Sequence, residues 1–169
     1  MIMKKCLSLI FCLCIGLNAF SQKLESGSFA GLKNVDGIAI DVDFTNASIH
    51  GMSEKAFAKY EEDWYTDKPE IIGNFIGGIA DKLGTVISIV DKSETKWLLK
   101  INVKSVRKNG SFVCTADLLN DGDLEAHVVD IYGHGGHIGS KLNLIKDGVE
   151  NTSKKCGSFL KSIIRKAKR

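Results

Sequence analysis

Apolar positions along this chain follow two periods, and the places where one gives way to the other divide it into elements. Residues 37–44 (Gly-Ile-Ala-Ile-Asp-Val-Asp-Phe) alternate toward their end, which is the period of a strand. Residues 45–51 carry no period and read as a loop. Ser53 is placed to cap a helix reaching Trp64, with Phe57, Tyr60 and Trp64 at helical spacing. Pro69, the sole proline, opens a second helix where its missing N–H does no harm. Ile71, Ile72, Phe75, Ile76, Ile79 and Leu83 form its buried stripe. Gly73, Gly77 and Gly78 interrupt it at about 1 kcal/mol each against alanine. A helix packed closely on a sheet tolerates that, and Gly84 ends it.

The second half is richer in strands. Residues 86–90 are a short apolar run. Residues 96–106 place Trp97, Leu99, Ile101 and Val103 on one face, and Asn109-Gly110 then turns the chain. Residues 112–119 return, Asp121-Gly122 turns again, and residues 124–132 make the last strand. A final helix begins near Leu142, with Ile145, Val149, Cys156, Phe159 or Leu160, and Ile163 as its stripe. The order β, α, α, β, β, β, β, α predicts an α+β domain. Its sheet is expected to be mainly antiparallel, with a three-stranded meander and helices packed on one face.

The start of the chain follows neither period. Lys4 and Lys5 precede an apolar run from Cys6 to Leu17, and small residues Ala19 and Ser21 precede Gln22. That layout predicts a secretory signal peptide over residues 1–21, cleaved near Ser21-Gln22, because a membrane span needs about 20 apolar residues. The expected location is periplasmic or secreted. Phe11 before Cys12 and Leu13 before Cys14 are too large for a lipid-attachment motif. Cleavage leaves residues 22–169 as a single domain with 21 basic and 20 acidic side chains, a balance that argues against nucleic acid as a partner. Cys114 and Cys156 remain, free to pair in an oxidising compartment or to serve as small buried apolar groups.

Candidate chemistry is sparse. The segment Gly133-His134-Gly135-Gly136-His137-Ile138-Gly139 sits between a strand and a helix, but Ile138 stands where a dinucleotide fingerprint needs glycine. It reads as a flexible connection. His134 and His137 offer a metal site only with help from His127, Asp121 or Asp123, and catalytic zinc usually has three protein ligands. Asp41 and Asp43 share a strand face without a nucleophile at fixed spacing, and Cys114 with His127 makes a pair only if strand register aligns them. Two surfaces stand out instead. Tyr60-Glu61-Glu62-Asp63-Trp64-Tyr65 joins acids to aromatic side chains of the kind favoured as interface anchors. Lys154, Lys155, Lys161 and Arg165 belong to a basic helix end, which suits the helix dipole and equally an anionic surface.

Residues 37–46, ending Asp-Phe-Thr-Asn, resemble the first strand of the CsgG-like and TolB amino-terminal-like envelope domains. The helix over residues 69–83, followed by Val86-Ile87-Ser88-Ile89-Val90-Asp91, is similar to their helix and the strand that closes on an acid. Residues 94–106 look like the long strand that starts their meander. Residues 47–68 have no clear counterpart there, and the Gly-His-Gly-Gly loop looks more like that of small uncharacterised secreted proteins of Gram-negative bacteria. The resemblance implies a non-catalytic envelope accessory or binding module that acts through protein contacts. The expected partner is an envelope protein, with a weaker anionic contact through the last helix and no cofactor. The alternative is a small metal-dependent hydrolase using His134 and His137.

Overall fold

A computed structural model describes residues 21–169. Residues 1–20 of the expected signal peptide lie outside the described residues. The fold is α+β, with a mixed, mostly antiparallel open sheet of eight strands and three α-helices among the described residues. The strands are β1 (Lys23–Gly27), β2 (Gly37–Asp43), β3 (Ser48–Ile49), β4 (Met52–Ser53), β5 (Ser88–Ile89), β6 (Trp97–Val106), β7 (Phe112–Asn120) and β8 (Asp123–Gly133). The helices are α1 (Glu54–Tyr60), α2 (Trp64–Leu83) and α3 (Lys141–Ala167).

Strand order is β1-β8-β7-β6-β2-β5, with β3 pairing β4 and β6. β6, β7 and β8 pair antiparallel in sequence order, whereas β2 runs parallel to both β6 and β5. Asp121 and Gly122 both take positive φ, the twist-matched geometry of a tight hairpin turn. The β6–β7 turn is built differently: only Gly110 has positive φ, and the Asn109 side chain accepts from the Ser111 N–H.

Four elements differ from the pattern read along the sequence. β1 falls in a Gly- and Ser-rich lead-in that shows no alternation; it forms by backbone pairing on the edge of β8, and only Leu24 is even half-buried. The expected loop at residues 45–51 contains β3, pairing parallel with the end of β6. The first helix stops at Tyr60, because Trp64 already begins the second. Pro69 therefore sits inside α2 rather than at its start, and the Tyr65 carbonyl loses its intrahelical donor.

The largest core side chains are linked ring to ring. Phe57 meets Trp64 edge-on at 5.2 Å, Trp64 meets Phe44 at 5.6 Å, and Phe112 joins Phe44 to Phe75. Such edge-on pairs add to area burial rather than replacing it. The glycines of α2 behave differently from expectation. Gly73 and Gly77 face open space, while Gly78 faces Ser153 of α3 rather than the sheet.

Helix α3 gets close to its neighbours because much of its buried side is small. Gly148, Thr152, Ser153, Cys156 and Gly157 lie buried among Ile145, Val149, Leu160 and Ile164. Ile164 is thus buried, and Ile163 of the expected stripe only packs against the core. A Cβ on Gly148 would stand 1.9 Å from the Gly110 carbonyl oxygen, so helix and hairpin turn touch backbone to backbone. Thr152 and Ser153 satisfy their hydroxyls on α3's own carbonyls, Gly148 at 2.6 Å and Glu150 at 3.1 Å.

Cys114 and Cys156 are both buried free thiols. Burial holds Cys114 well above its ordinary value and pushes Cys156 up to about 12.

Two measurements check this packing. Gly148→Val is expected to destabilise the protein by about 3 kcal/mol through collision with the hairpin turn, and an unchanged urea midpoint would contradict the contact. In protein spanning residues 22–169, a thiol reagent should find nothing reactive in the native state and both cysteines after denaturation. No thiol after denaturation would establish the disulfide instead.

Candidate functional site

The turn between α1 and α2 is held from beneath. Trp64 is fully buried, and its indole Nε1 donates to Glu54 Oε1 at 3.0 Å. The same carboxylate takes Lys68 at 2.5 Å. Glu61 ends α1 by donating its N–H to the Phe57 carbonyl at 2.8 Å. With these contacts fixing the turn, Tyr60 and Tyr65 project outward at 60% and 61% exposure. Of the three aromatic residues in the segment singled out from sequence, Tyr60 and Tyr65 are therefore at the surface. Trp64 is core, and that part of the expectation is corrected: it positions the turn and presents no contact surface.

The far partner of this corner is the start of α3. Ser140 caps that helix, its hydroxyl accepting from the Asn143 N–H at 3.3 Å. Lys141 then reaches Glu61 Oε1 at 2.6 Å and stands 3.8 Å over the Tyr60 ring. Glu61, and after it Tyr60, hold the Lys141 ammonium above the ordinary lysine value. Three residues before Lys141, Ile138 is 92% exposed. His50 lies close by, its ring edge-on to Phe57 at 5.0 Å and its Nε2 buried with no hydrogen-bond partner among the described residues. Burial, then the nearby Lys141, push its imidazole below the ordinary histidine value.

The histidine loop does not assemble a ligand set. His134 and His137 are both exposed; His134 Nδ1 lies 3.2 Å from the Tyr132 hydroxyl. The His134 carbonyl accepts from Asn151 of α3, and Gly135 donates its N–H to Ser111 Oγ. The loop is thus laced to the β6–β7 turn and to α3. Among the described residues, no three His, Cys, Asp or Glu side chains come together as a metal would require.

His127 meets acids other than the expected Asp121 and Asp123, which are exposed at the β7–β8 turn. Asp117 on β7 pairs in register with His127 on β8, and its Oδ1 is 2.5 Å from His127 Nδ1. Asn102 donates to Asp117 Oδ2 at 2.7 Å, while Glu25 of β1 stands 3.7 Å from His127 Nε2. Asp43 pairs with Lys100 at 2.9 Å and Asp41 with Lys92 at 3.1 Å. A polar ladder therefore crosses five strands of the sheet. Cys114 opposes Ile131 in the register and is buried, so it forms no pair with His127. Thr45, then Lys100, hold the Asp43 carboxyl well below the usual carboxylate range, and Asp43 raises Lys100.

The basic residues of α3 separate into two groups. Lys154 and Lys155 stand beside Tyr132, at the end of β8, and Arg165 belongs to the last turn. Lys161 is half-buried. Sequence reasoning missed Lys141 and Tyr132, which carry no motif; the one signal for Lys141 was its place just after a Gly-His loop and a helix cap.

No family model and no curated protein matches the chain. Solved structures give a PelC dodecamer from Paraburkholderia phytofirmans at 13% identity and TM-score 0.40, spanning 80% of this chain and 95% of that one. A single-substitution variant of that dodecamer, also at 13% identity, gives TM-score 0.36 over 79% of this chain and 98% of that one. Likenesses at this level carry no functional argument.

The ladder has a pH signature. Asp43→Asn should lower stability at neutral pH by about 1 kcal/mol, the scale of one hydrogen-bonded, partly exposed charge pair. Because folding depresses the Asp43 value, this stability is fully present above the ordinary 3.8. It is lost as pH falls from there through the folded value. Thermal melts across the acid range check this; a gap between variant and native protein that did not shrink would contradict it.

Proposed function

We propose that the protein is a non-catalytic, exported accessory or binding module of the cell envelope that works through protein contacts. The contact surface is the corner formed by the α1–α2 turn and the segment leading into α3. One observation carries this reading. Among the described residues four large apolar side chains are strongly exposed, and three of them, Tyr60, Tyr65 and Ile138, belong to the two segments that the Lys141–Glu61 pair ties together. Exposed aromatic side chains on a braced turn lose little freedom on binding, which suits them as anchors. Glu62 and Asp63 beside them give the corner an acidic rim.

The same reading takes β6, β7 and β8 as a meander with α2 and α3 over one face, as in the envelope domains the sequence resembles. It also takes residues 1–21 as a cleaved signal peptide. Among the described residues no helix is long and apolar enough to cross a membrane. The hydrolase alternative draws no support from His134 and His137, which are both exposed, with the His134 ring turned to Tyr132.

Site-specific photocrosslinking in intact cells tests the reading. A crosslinker at position 60 or 138 should capture the same envelope protein. One at position 124, the fourth exposed apolar site, lies at the other end of the β7–β8 pair and should not. Identical adducts from all three positions, or none at 60 and 138, would overturn it. Stoichiometric zinc in the purified protein would instead favour the hydrolase.

A further inference from the structure

Beyond the end of the β1–β8 pairing, which stops at Lys23 opposite Val129, the free end of β8 and the middle of α3 enclose an open hollow of about 450 Å³. Lys82 from the last turn of α2 and Lys154 and Lys155 from α3 line it, and no carboxylate does. Tyr132 and Phe159 supply apolar wall. Lys154 has one counter-charge, Glu150, a turn earlier on its own helix. Among the described residues neither Lys82 nor Lys155 has a carboxylate within ion-pair reach.

The cationic bias extends past the lining. Arg107 and Lys155 each stand 5.9 Å from the centre of the Tyr132 ring, and His134 meets its edge at 4.8 Å. The helix dipole explains Lys82, which closes α2, but Lys154 and Lys155 lie mid-helix where it offers nothing. Gathering like charges costs folding free energy and concentrates positive potential in a concave site. Gln22 also lines the hollow, and its side-chain Oε1 is out of solvent with no hydrogen-bond partner among the described residues. An unsatisfied buried amide is a standing cost that a polar ligand group relieves.

We propose that this hollow binds a phosphoryl-bearing ligand, its charged group held by Lys82, Lys154 and Lys155 and its apolar part against Tyr132 and Phe159. Phosphate suits the site better than a single carboxylate, since it carries close to two negative charges and three strong acceptor oxygens. The site shares no residue with the Tyr60 corner, so either reading can fail without the other.

The test uses protein expressed from the full sequence, with phenyl phosphate as probe and phenol and inorganic phosphate beside it. Calorimetry should show phenyl phosphate binding best and phenol not at all. Lys82→Met with Lys155→Met should weaken phenyl phosphate binding by roughly tenfold, the scale of one lost charge-assisted hydrogen bond. Arg165→Met with Lys166→Met removes the same charge from the end of α3 and should leave affinity unchanged. Equal loss in both variants would reduce the site to a general field and overturn the proposal. Thermal melts of both variants confirm that each is folded. Phosphatidylglycerol vesicles, against neutral phosphatidylcholine, identify the source. Capture by the anionic vesicles alone, lost in the Lys82/Lys155 variant, assigns the phosphate to a lipid headgroup, and binding of phenyl phosphate alone assigns it to a soluble ligand. Binding of neither overturns the proposal.

Discussion

The near-contact of α3 with the β6–β7 turn, backbone on backbone at Gly148 and Gly110, sets the position of much else in this protein. A helix usually stands off its neighbours by the width of side chains. Here the turn enters the helix surface where a side chain would otherwise be, and small residues continue along the same side to Gly157 against α2. The start of α3 is thereby fixed relative to the end of the sheet. From that follow the reach of Lys141 to Glu61, the place of Ile138, and the position of Lys154 and Lys155 beside Tyr132.

Two kinds of surface emerge from this arrangement, and they differ in how they are held. The Tyr60 corner is braced from within by an indole–carboxylate hydrogen bond and from outside by an ion pair over an aromatic ring. The Tyr132 hollow is braced by the backbone of β8 and α3, and its charged groups are lysines on long side chains. The first suits a partner recognised by shape. The second suits a small group recognised by charge. The ladder of Asn102, Asp117, His127 and Glu25 is neither; its members satisfy one another across adjacent strands.

Much of the fold was legible because burial imposes a period. Trp97, Leu99, Ile101 and Val103 alternate and are buried as the alternation requires, and Phe75, Ile79 and Leu83 recur at helical spacing and lie in the core. What escaped was held together by backbone or by long-range contact. β1 has no apolar face to betray it, β3 is two residues long, and Trp64 looks the same in sequence whether it ends one helix or begins the next. The sites were less legible still. Tyr60 and the α3 lysines stand out by composition, yet Lys141 and Tyr132 matter only through residues distant along the chain. Asp117 and His127 meet by strand register, which no spacing in the chain announces.

The edge strand β1 has a consequence for biosynthesis. A chain is made from its N-terminus, so β1 exists long before β8, the only strand among the described residues with which it pairs. Through most of synthesis its hydrogen-bonding groups are unclaimed, open to a neighbouring copy. Its composition limits that hazard: Lys23 and Glu25 put opposite charges on so short a segment, Leu24 is its single apolar side chain, and Gly27 ends it in a conformation no strand continues. The first of the described strands to appear is thus made unattractive to any partner but the last of them.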